Sequence, residues 1–236
     1  MNPPPPGFLV RFFVSTLIAV IVLTLVSANI ALAQGRPAQR RPATTSRRTV
    51  SIRGFGDLGA VRFTAAESFE TILGSPSGLV FGGGVEVVLP QNIFVGVRAS
   101  RFRGTGHRVF LFEGEPFDLG INTTVTVRPL EFTAGYRFVA PRSRIIPYVG
   151  GGIGWHRYEE TSDFAADTEN VDETFRGYHV MGGAELRIFR WLGGAGEAQW
   201  TTVSNALGQN ATGVSSIFGD TNLGGATFRA KIIIGR

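Results

Sequence analysis

Few side chains in this sequence have catalytic potential. There are three histidines, His107, His156 and His179, and no cysteine. Without Cys there is no disulfide, thiolate metal site or thiol nucleophile, and no acylated N-terminal Cys of a lipoprotein. Catalysis needs a complete and mutually placed set of groups. His107 stands near Thr105 in a loop-like stretch, and no Ser-His-acid set surrounds it. His179 would share a strand face with Met181 and Glu185. Each His reads as a polar interior or loop residue, and the spacing of metal ligands is missing. The glycine runs Gly82–Gly84, Gly150–Gly152 and Gly193–Gly194 precede no helical pattern, which argues against a phosphate-binding loop. Glycine inside strands more often marks a bend or crowded packing. The sequence therefore assigns no catalytic residue, no cofactor and no metal ligand.

The elements that carry these residues are strands. After residue 49 no long stretch keeps a helical period. Short runs recur instead between Gly, Pro, Asn and Ser punctuation. They predict strands at 50–63, 78–89, 93–104, 120–138, 147–159, 173–189, 193–204 and 222–235. Connections 64–77, 105–119, 160–172 and 205–221 are long, while 90–92, 139–146 and 190–192 are shorter. Alternating long and short connections mark an up-and-down membrane barrel, with short turns in the periplasm and long loops outside.

Within strands, apolar and polar residues alternate. Leu79, Phe81, Val85, Val87 and Leu89 oppose Glu86. Ile93, Val95, Val97 and Ala99 oppose Arg98 and Ser100. Leu130, Phe132, Ala134, Tyr136 and Phe138 oppose Glu131, Thr133 and Arg137. Tyr178, Val180, Ala184, Leu186 and Ile188 oppose His179, Glu185 and Arg187. Ala226, Phe228, Ala230, Ile232 and Ile234 oppose Arg229 and Lys231. The apolar face is the lipid face and the charged face the lumen. A soluble lipocalin-like cup has the same strand count. It would bury one or two charges on nearly every strand, at heavy cost unless each is paired. The fold class is thus all-β, an eight-stranded antiparallel up-and-down transmembrane β-barrel over 50–236. Trp155, Trp191, Trp200, Tyr136, Tyr148 and Tyr178 are expected near strand ends or on the lipid face as interfacial girdles.

Residues 1–33 read as a secretory signal. Arg11 precedes the uncharged, mostly apolar run Phe12–Val26, and Ala31-Leu32-Ala33 is a small-x-small cleavage site before Gln34. A spanning anchor needs about 20 apolar residues, more than this run supplies. Residues 34–49 hold Arg36, Arg40, Arg41, Arg47 and Arg48, no acid and almost nothing to bury, so a disordered periplasmic lead-in is expected. Contact with an anionic cell-wall polymer through this tail is the sharper alternative. The formal net charge of +5 lies in this N-terminal part. Residues 50–236 are about neutral, with 17 Lys+Arg against 18 Asp+Glu, which excludes a basic nucleic-acid-binding domain.

Two strands carry a family resemblance. Pro147-Tyr-Val-Gly-Gly-Gly-Ile-Gly-Trp155 and Leu130-Glu-Phe-Thr-Ala-Gly-Tyr-Arg-Phe138 resemble consecutive strands of small outer-membrane barrels of the OmpA-like, OmpX-like and OmpW-like group. The resemblance implies a barrel in the bacterial outer membrane, in contact with outer-membrane lipid and lipopolysaccharide and inserted by the barrel-assembly machinery. Two features depart from the group. The chain ends Ile232-Ile-Ile-Gly-Arg236 rather than on an aromatic residue, and no peptidoglycan-binding domain follows the barrel.

The acids Glu159, Glu160, Asp163, Asp167, Glu169, Asp172 and Glu173 lack the calcium-loop pattern. They read as a solvated loop, or as carboxylates sharing divalent cations with lipopolysaccharide phosphates. The alternation places Arg53, Glu86, Arg98, Glu131, Arg137, Glu185, Arg187, Glu197, Arg229 and Lys231 in the lumen. A three-residue turn at 190–192 would set Glu185 opposite Glu197, with Arg187 or Arg229 bridging the two carboxylates. The expected function is a non-enzymatic structural or surface-interaction barrel with its lumen sealed by these charges. The alternatives are OmpW-like passage of small or apolar solutes and a lipid-A-modifying barrel enzyme. The first would need an apolar upper lumen, whereas the lumenal residues read as mainly Gly, Thr and charged. The second would need an acyl-chain cavity and a catalytic set.

Overall fold

The computed structural model describes residues 50–112, 115–163, 170–208 and 214–235. The signal, the Arg-rich segment, and Asp167 and Glu169 of the acidic stretch lie outside the described residues. Eight antiparallel strands close into a barrel in sequence order, the last pairing with the first. They are β1 (Ser51–Phe63), β2 (Ser77–Val88), β3 (Ile93–Phe112), β4 (Glu115–Arg137), β5 (Ile145–Ser162), β6 (Val171–Arg187), β7 (Leu192–Thr202) and β8 (Gly225–Gly235). Closure leaves no sheet edge, which a barrel needs in lipid.

Burial follows the pleat and inverts the soluble pattern. Leu79 (70% exposed), Phe228 (67%), Ile232 and Val180 face outward, while Arg98, Glu131, Glu185 and Arg229 are buried inside. Tyr136 and Phe138 pack edge to face near the turn end, and Phe189 stacks on Trp191 in the turn after β6. Trp155, Tyr178 and Trp200 are exposed nearer the loop end. Tyr148 departs from the expected girdle. It is buried in the lumen, because the even positions at the start of β5 (Ile146, Tyr148) point inward.

The connections differ from expectation in two places. The expected loop 105–119 is mostly strand, since β3 and β4 pair out to Phe112↔Glu115 across an irregularity at His107/Val109. Valine, threonine and phenylalanine in this stretch favour extended backbone despite its glycines. The first long loop contains helix α1 (Ala66–Leu73), closed by Gly74 at φ 73° with its N–H on the Glu70 carbonyl. Eight residues are too few for a period to stand out. A second short helix, α2 (Val214–Ile217), lies in the last loop.

The first and last loops fill the loop end of the barrel. Phe69 of α1 stacks on Phe63 at 4.1 Å, and Phe102 meets Phe63 edge-on at 4.9 Å. Val125, Val127, Tyr158, Val203, Leu207 and Leu223 complete this apolar cluster. The upper lumen is therefore apolar, contrary to the sequence reading, because the inward positions of β3–β5 change from charged to apolar above Glu131 and His156. Asp220 Oδ2 accepts hydrogen bonds from the Ser68 N–H (3.0 Å) and hydroxyl (2.7 Å), tying α1 to the last loop. Close approach of α1 to β3 requires a bare backbone. A Cβ at Gly106 would stand 1.8 Å from the Ile72 carbonyl oxygen.

Candidate functional site

The lumen below the plug holds two layers of charge. Nearer the turn end, Arg53 bridges Glu86 and Glu185 (2.8 Å to the latter), and Arg137 also pairs with Glu185. Above it, Glu197 takes Arg98 at 2.6 Å and Lys231 at 2.9 Å, with Arg229 at 3.7 Å. Asp57 lies 3.3 Å from Arg98 and 3.7 Å from Arg229, and Glu131 is 3.8 Å from Arg98. Each layer balances: two arginines with two glutamates, then three bases with three acids. A buried charge is tolerable only when it is paired, and every charge of both layers lies within ion-pair distance of an opposite one, although neither Asp57 carboxylate oxygen accepts a hydrogen bond.

Register brings these groups together. Arg53↔Glu86, Arg98↔Glu131, Glu197↔Arg229 and Asp57↔Lys231 are direct cross-strand neighbours on their ladders. Opposite charges in such positions attract, and side chains facing across the narrow lumen add the longer links. Neutral groups add further hydrogen bonds. Gln199 accepts from Arg98 (3.0 Å) and Arg229 (2.7 Å) and donates to Glu131 (2.6 Å). The Tyr148 hydroxyl donates to Glu197 at 3.0 Å. Phe55 lies under both Arg98 and Lys231, 4.4 Å from the Lys231 ammonium. Phe94 packs against Tyr148, and a Cβ at Gly135 would stand 2.5 Å from the Phe94 ring. Glycine here makes room for a lumenal aromatic, as crowded strand packing requires.

All the sequence-assigned lumenal charges are buried except Arg187, which is exposed at the turn-end mouth. The expected Glu185–Glu197 opposition does not occur. Strand pairing stops at Arg187↔Gly193, so Glu185 faces Ala195 and Glu197 faces Gly183. The physical reason lies in the turn. The N–H groups of Ile188 and Phe189 both reach the Leu192 carbonyl, which keeps Phe189 out of the ladder and shifts the register by two residues. Arg187 has no carboxylate pair to bridge. Asp57, Gln199 and Tyr148 are the members that sequence reasoning missed. Asp57 carried a signal, since it shares a face with Arg53 at an even spacing.

His156 Nε2 and His179 Nδ1 flank Glu131 at 4.0 and 3.8 Å, and His179 Nε2 shares a hydrogen bond with the Thr133 hydroxyl at 2.9 Å. No grouping of three or more His, Asp or Glu suited to a metal occurs among the described residues. Small cavities of about 40 and 10 Å³ separate the plug from the upper charge layer and lie within the lower one. A larger recess of about 620 Å³ opens at the turn end, lined in part by Arg53, Arg137, Arg144, Arg187 and Arg190.

Four described acids of the 159–173 stretch, Glu159, Glu160, Asp163 and Asp172, have side-chain partners. Glu159 accepts from Arg128 (2.9 Å) and pairs with Arg157 (3.1 Å). Asp172 accepts two hydrogen bonds from Arg157, which hold its carboxyl below the usual carboxylate range. Glu160 accepts from the Tyr158 hydroxyl and Asp163 from Asn122.

No protein-family model matches the chain, and no curated protein matches it. Solved structures do. A major outer membrane protein from Thermus thermophilus superposes with a TM-score of 0.54 at 8% identity, over 80% of this chain and all of that one. Neisserial surface protein A gives 0.49 at 11% identity, over 78% of this chain and 96% of that one. The N-terminal β-barrel domain of Pseudomonas aeruginosa OprF gives 0.48 at 10% identity, over 78% and 97%. The likeness to the Thermus protein shows the fold. With the outward apolar wall and buried lumenal charge, it makes this chain a small barrel of the bacterial outer-membrane type.

Proposed function

We propose that the chain is a non-enzymatic structural barrel of the outer membrane, with its lumen closed to solutes. One observation carries this reading: Glu197, 4% exposed, gathers Arg98, Lys231, Arg229 and Tyr148 at the middle of the lumen. Among the described residues, the cavities between the plug and the charge layers and within the lower layer are small, about 40 and 10 Å³, and the apolar plug covers them at the loop end. An eight-stranded barrel has an interior just wide enough for side chains to fill, so structural support rather than transport follows. The turn end, where residue 50 enters, faces the periplasm, and the long loops face outside. The signal is removed after Ala33, and 34–49 trails into the periplasm within reach of anionic cell-wall polymer.

Passage of apolar solutes is the second reading, and the apolar upper lumen favours it. The plug occupies that space with the chain's own Phe69, Leu207 and Leu223, which makes closure the better account. The test is outer-membrane fractionation with gel mobility before and after boiling, followed by swelling of vesicles that contain the pure protein. The proposal expects a heat-shifted outer-membrane band and no sugar-dependent swelling. A heat-insensitive periplasmic protein, or swelling with small sugars, would overturn it.

A further inference from the structure

The outer wall carries arginines in register just above the apolar band. Arg128 and Arg157 are direct cross-strand partners. The pairs Ala99↔Leu130 and Phe102↔Val127 set Arg101 opposite Arg128. Arg103 stands one outward rung higher, opposite Thr126. These side chains point away from the lumen, since Arg98, Glu131 and His156 occupy the alternate, buried positions of the same strands. On the far wall, β7, β8, β1 and β2, the charge among the described outward positions is Arg62. The basic patch is thus confined to one side.

Height places this patch at the lipid boundary. From Phe138 to Arg128 the chain runs ten residues. At about 3.4 Å per residue and a tilt of about 40° that is a climb of about 25 Å, the height of the apolar band. Directly below the arginines lie Leu130, Phe132 and Trp155, the last two packed edge to face at 5.7 Å.

The patch is short of anions. Like charges opposed on a ladder repel. Glu159 and Asp172 serve Arg128 and Arg157, while the Nε of Arg101 has no hydrogen-bond partner. The backbone is also loosely tied here. Pro129 lacks an N–H, and the β3–β4 pairing lapses between Ala99↔Leu130 and Phe102↔Val127, at Ser100–Arg101 and Arg128–Pro129. A phosphate monoester carries up to two negative charges and oxygens spaced for the guanidinium fork.

We infer that the outer face of β3–β5 is a docking site for the phosphorylated sugar headgroup of an outer-leaflet glycolipid. Its phosphate sits between Arg101 and Arg128, and its acyl chains lie on Leu130, Phe132 and Trp155. A phosphodiester phospholipid brings one charge and fits the surplus less well. The site rests on the proposed placement of the loop end on the outside.

The test titrates the full-length protein, purified from membranes in detergent, in native mass spectrometry. The probes are lipid A with both phosphates, the same lipid dephosphorylated, and phosphatidylglycerol. The wild type should hold bis-phosphorylated lipid A about tenfold or more tightly than the other two. The Arg101→Gln/Arg128→Gln variant should lose that preference, and Arg62→Gln should keep it. Boiling-dependent gel mobility checks that each variant is folded. If the Gln pair fails to fold, Arg101→Lys/Arg128→Lys, which keeps the charge without the fork, should show a severalfold loss. Equal binding of the three lipids, a loss as large in Arg62→Gln, or an unchanged Lys variant would overturn the site. Conductance and swelling are separate readouts, so failure of the sealed-lumen proposal would be recognised independently.

Discussion

At the residue scale, Glu197 and Arg187 make a contrasting pair. Both are charges on lumenal positions of neighbouring strands, yet one is buried against three bases and the other is exposed at the mouth. Removing one partner of a buried network leaves uncompensated charge, which destabilises by about 3–5 kcal/mol. An exposed charge contributes about 0–1 kcal/mol. Glu197→Ala is therefore expected to lower the urea midpoint of the vesicle-reconstituted barrel strongly, and Arg187→Ala to leave it nearly unchanged. Equal effects would mean that burial does not set the worth of these groups. Most of the network was legible in the sequence, because alternation alone puts Arg53, Glu86, Arg98, Glu131, Glu185 and Glu197 on the inner face. The pairing was not. Which carboxylate meets which base depends on register, and register depends on turn hydrogen bonds at 188–192 that composition does not reveal.

At the element scale, the strands follow from period-two alternation, while the plug has no comparable signature. Helix α1 has two turns, and its burial is a tertiary matter of Phe69 finding Phe63 and Phe102. The small residue that admits it, Gly106, lies on another strand. The tie between α1 and the last loop is Asp220 on Ser68. Asp220→Ala removes both hydrogen bonds, a loss of about 1–3 kcal/mol. Hydrogen exchange should then quicken over 66–73, with no change over β6 and β7. Quickening spread evenly through the strands would show that the plug is not a separable unit.

At the scale of the whole molecule, the arrangement of charge and apolar surface fits a bilayer and no aqueous setting. Buried lumenal charges pair with one another, and the wall offers Leu79, Phe81, Val180 and Phe228 to lipid. Two expectations follow from the proposed orientation. N-terminal mass analysis of membrane-extracted protein should find Gln34 first, whereas a chain that retains Phe12–Val26 would be anchored instead. Protease added to intact cells should cut within 160–172 or 205–221 and spare 139–146, and cleavage confined to 139–146 would invert the barrel.

The sealed lumen is the central claim, and planar-bilayer recording tests it most directly. Arg98 on Glu197 and Arg53 on Glu185 span the bore, Lys231 and Arg137 add pairs from the nearer strands, and Phe55, Phe94 and Tyr148 pack between the layers. Wild-type protein should give little or no stable conductance, and Glu197→Ala should raise it in whatever fraction remains folded, since the upper layer then loses its hub. A steady, large conductance from the wild type would contradict the account and make the barrel a pore.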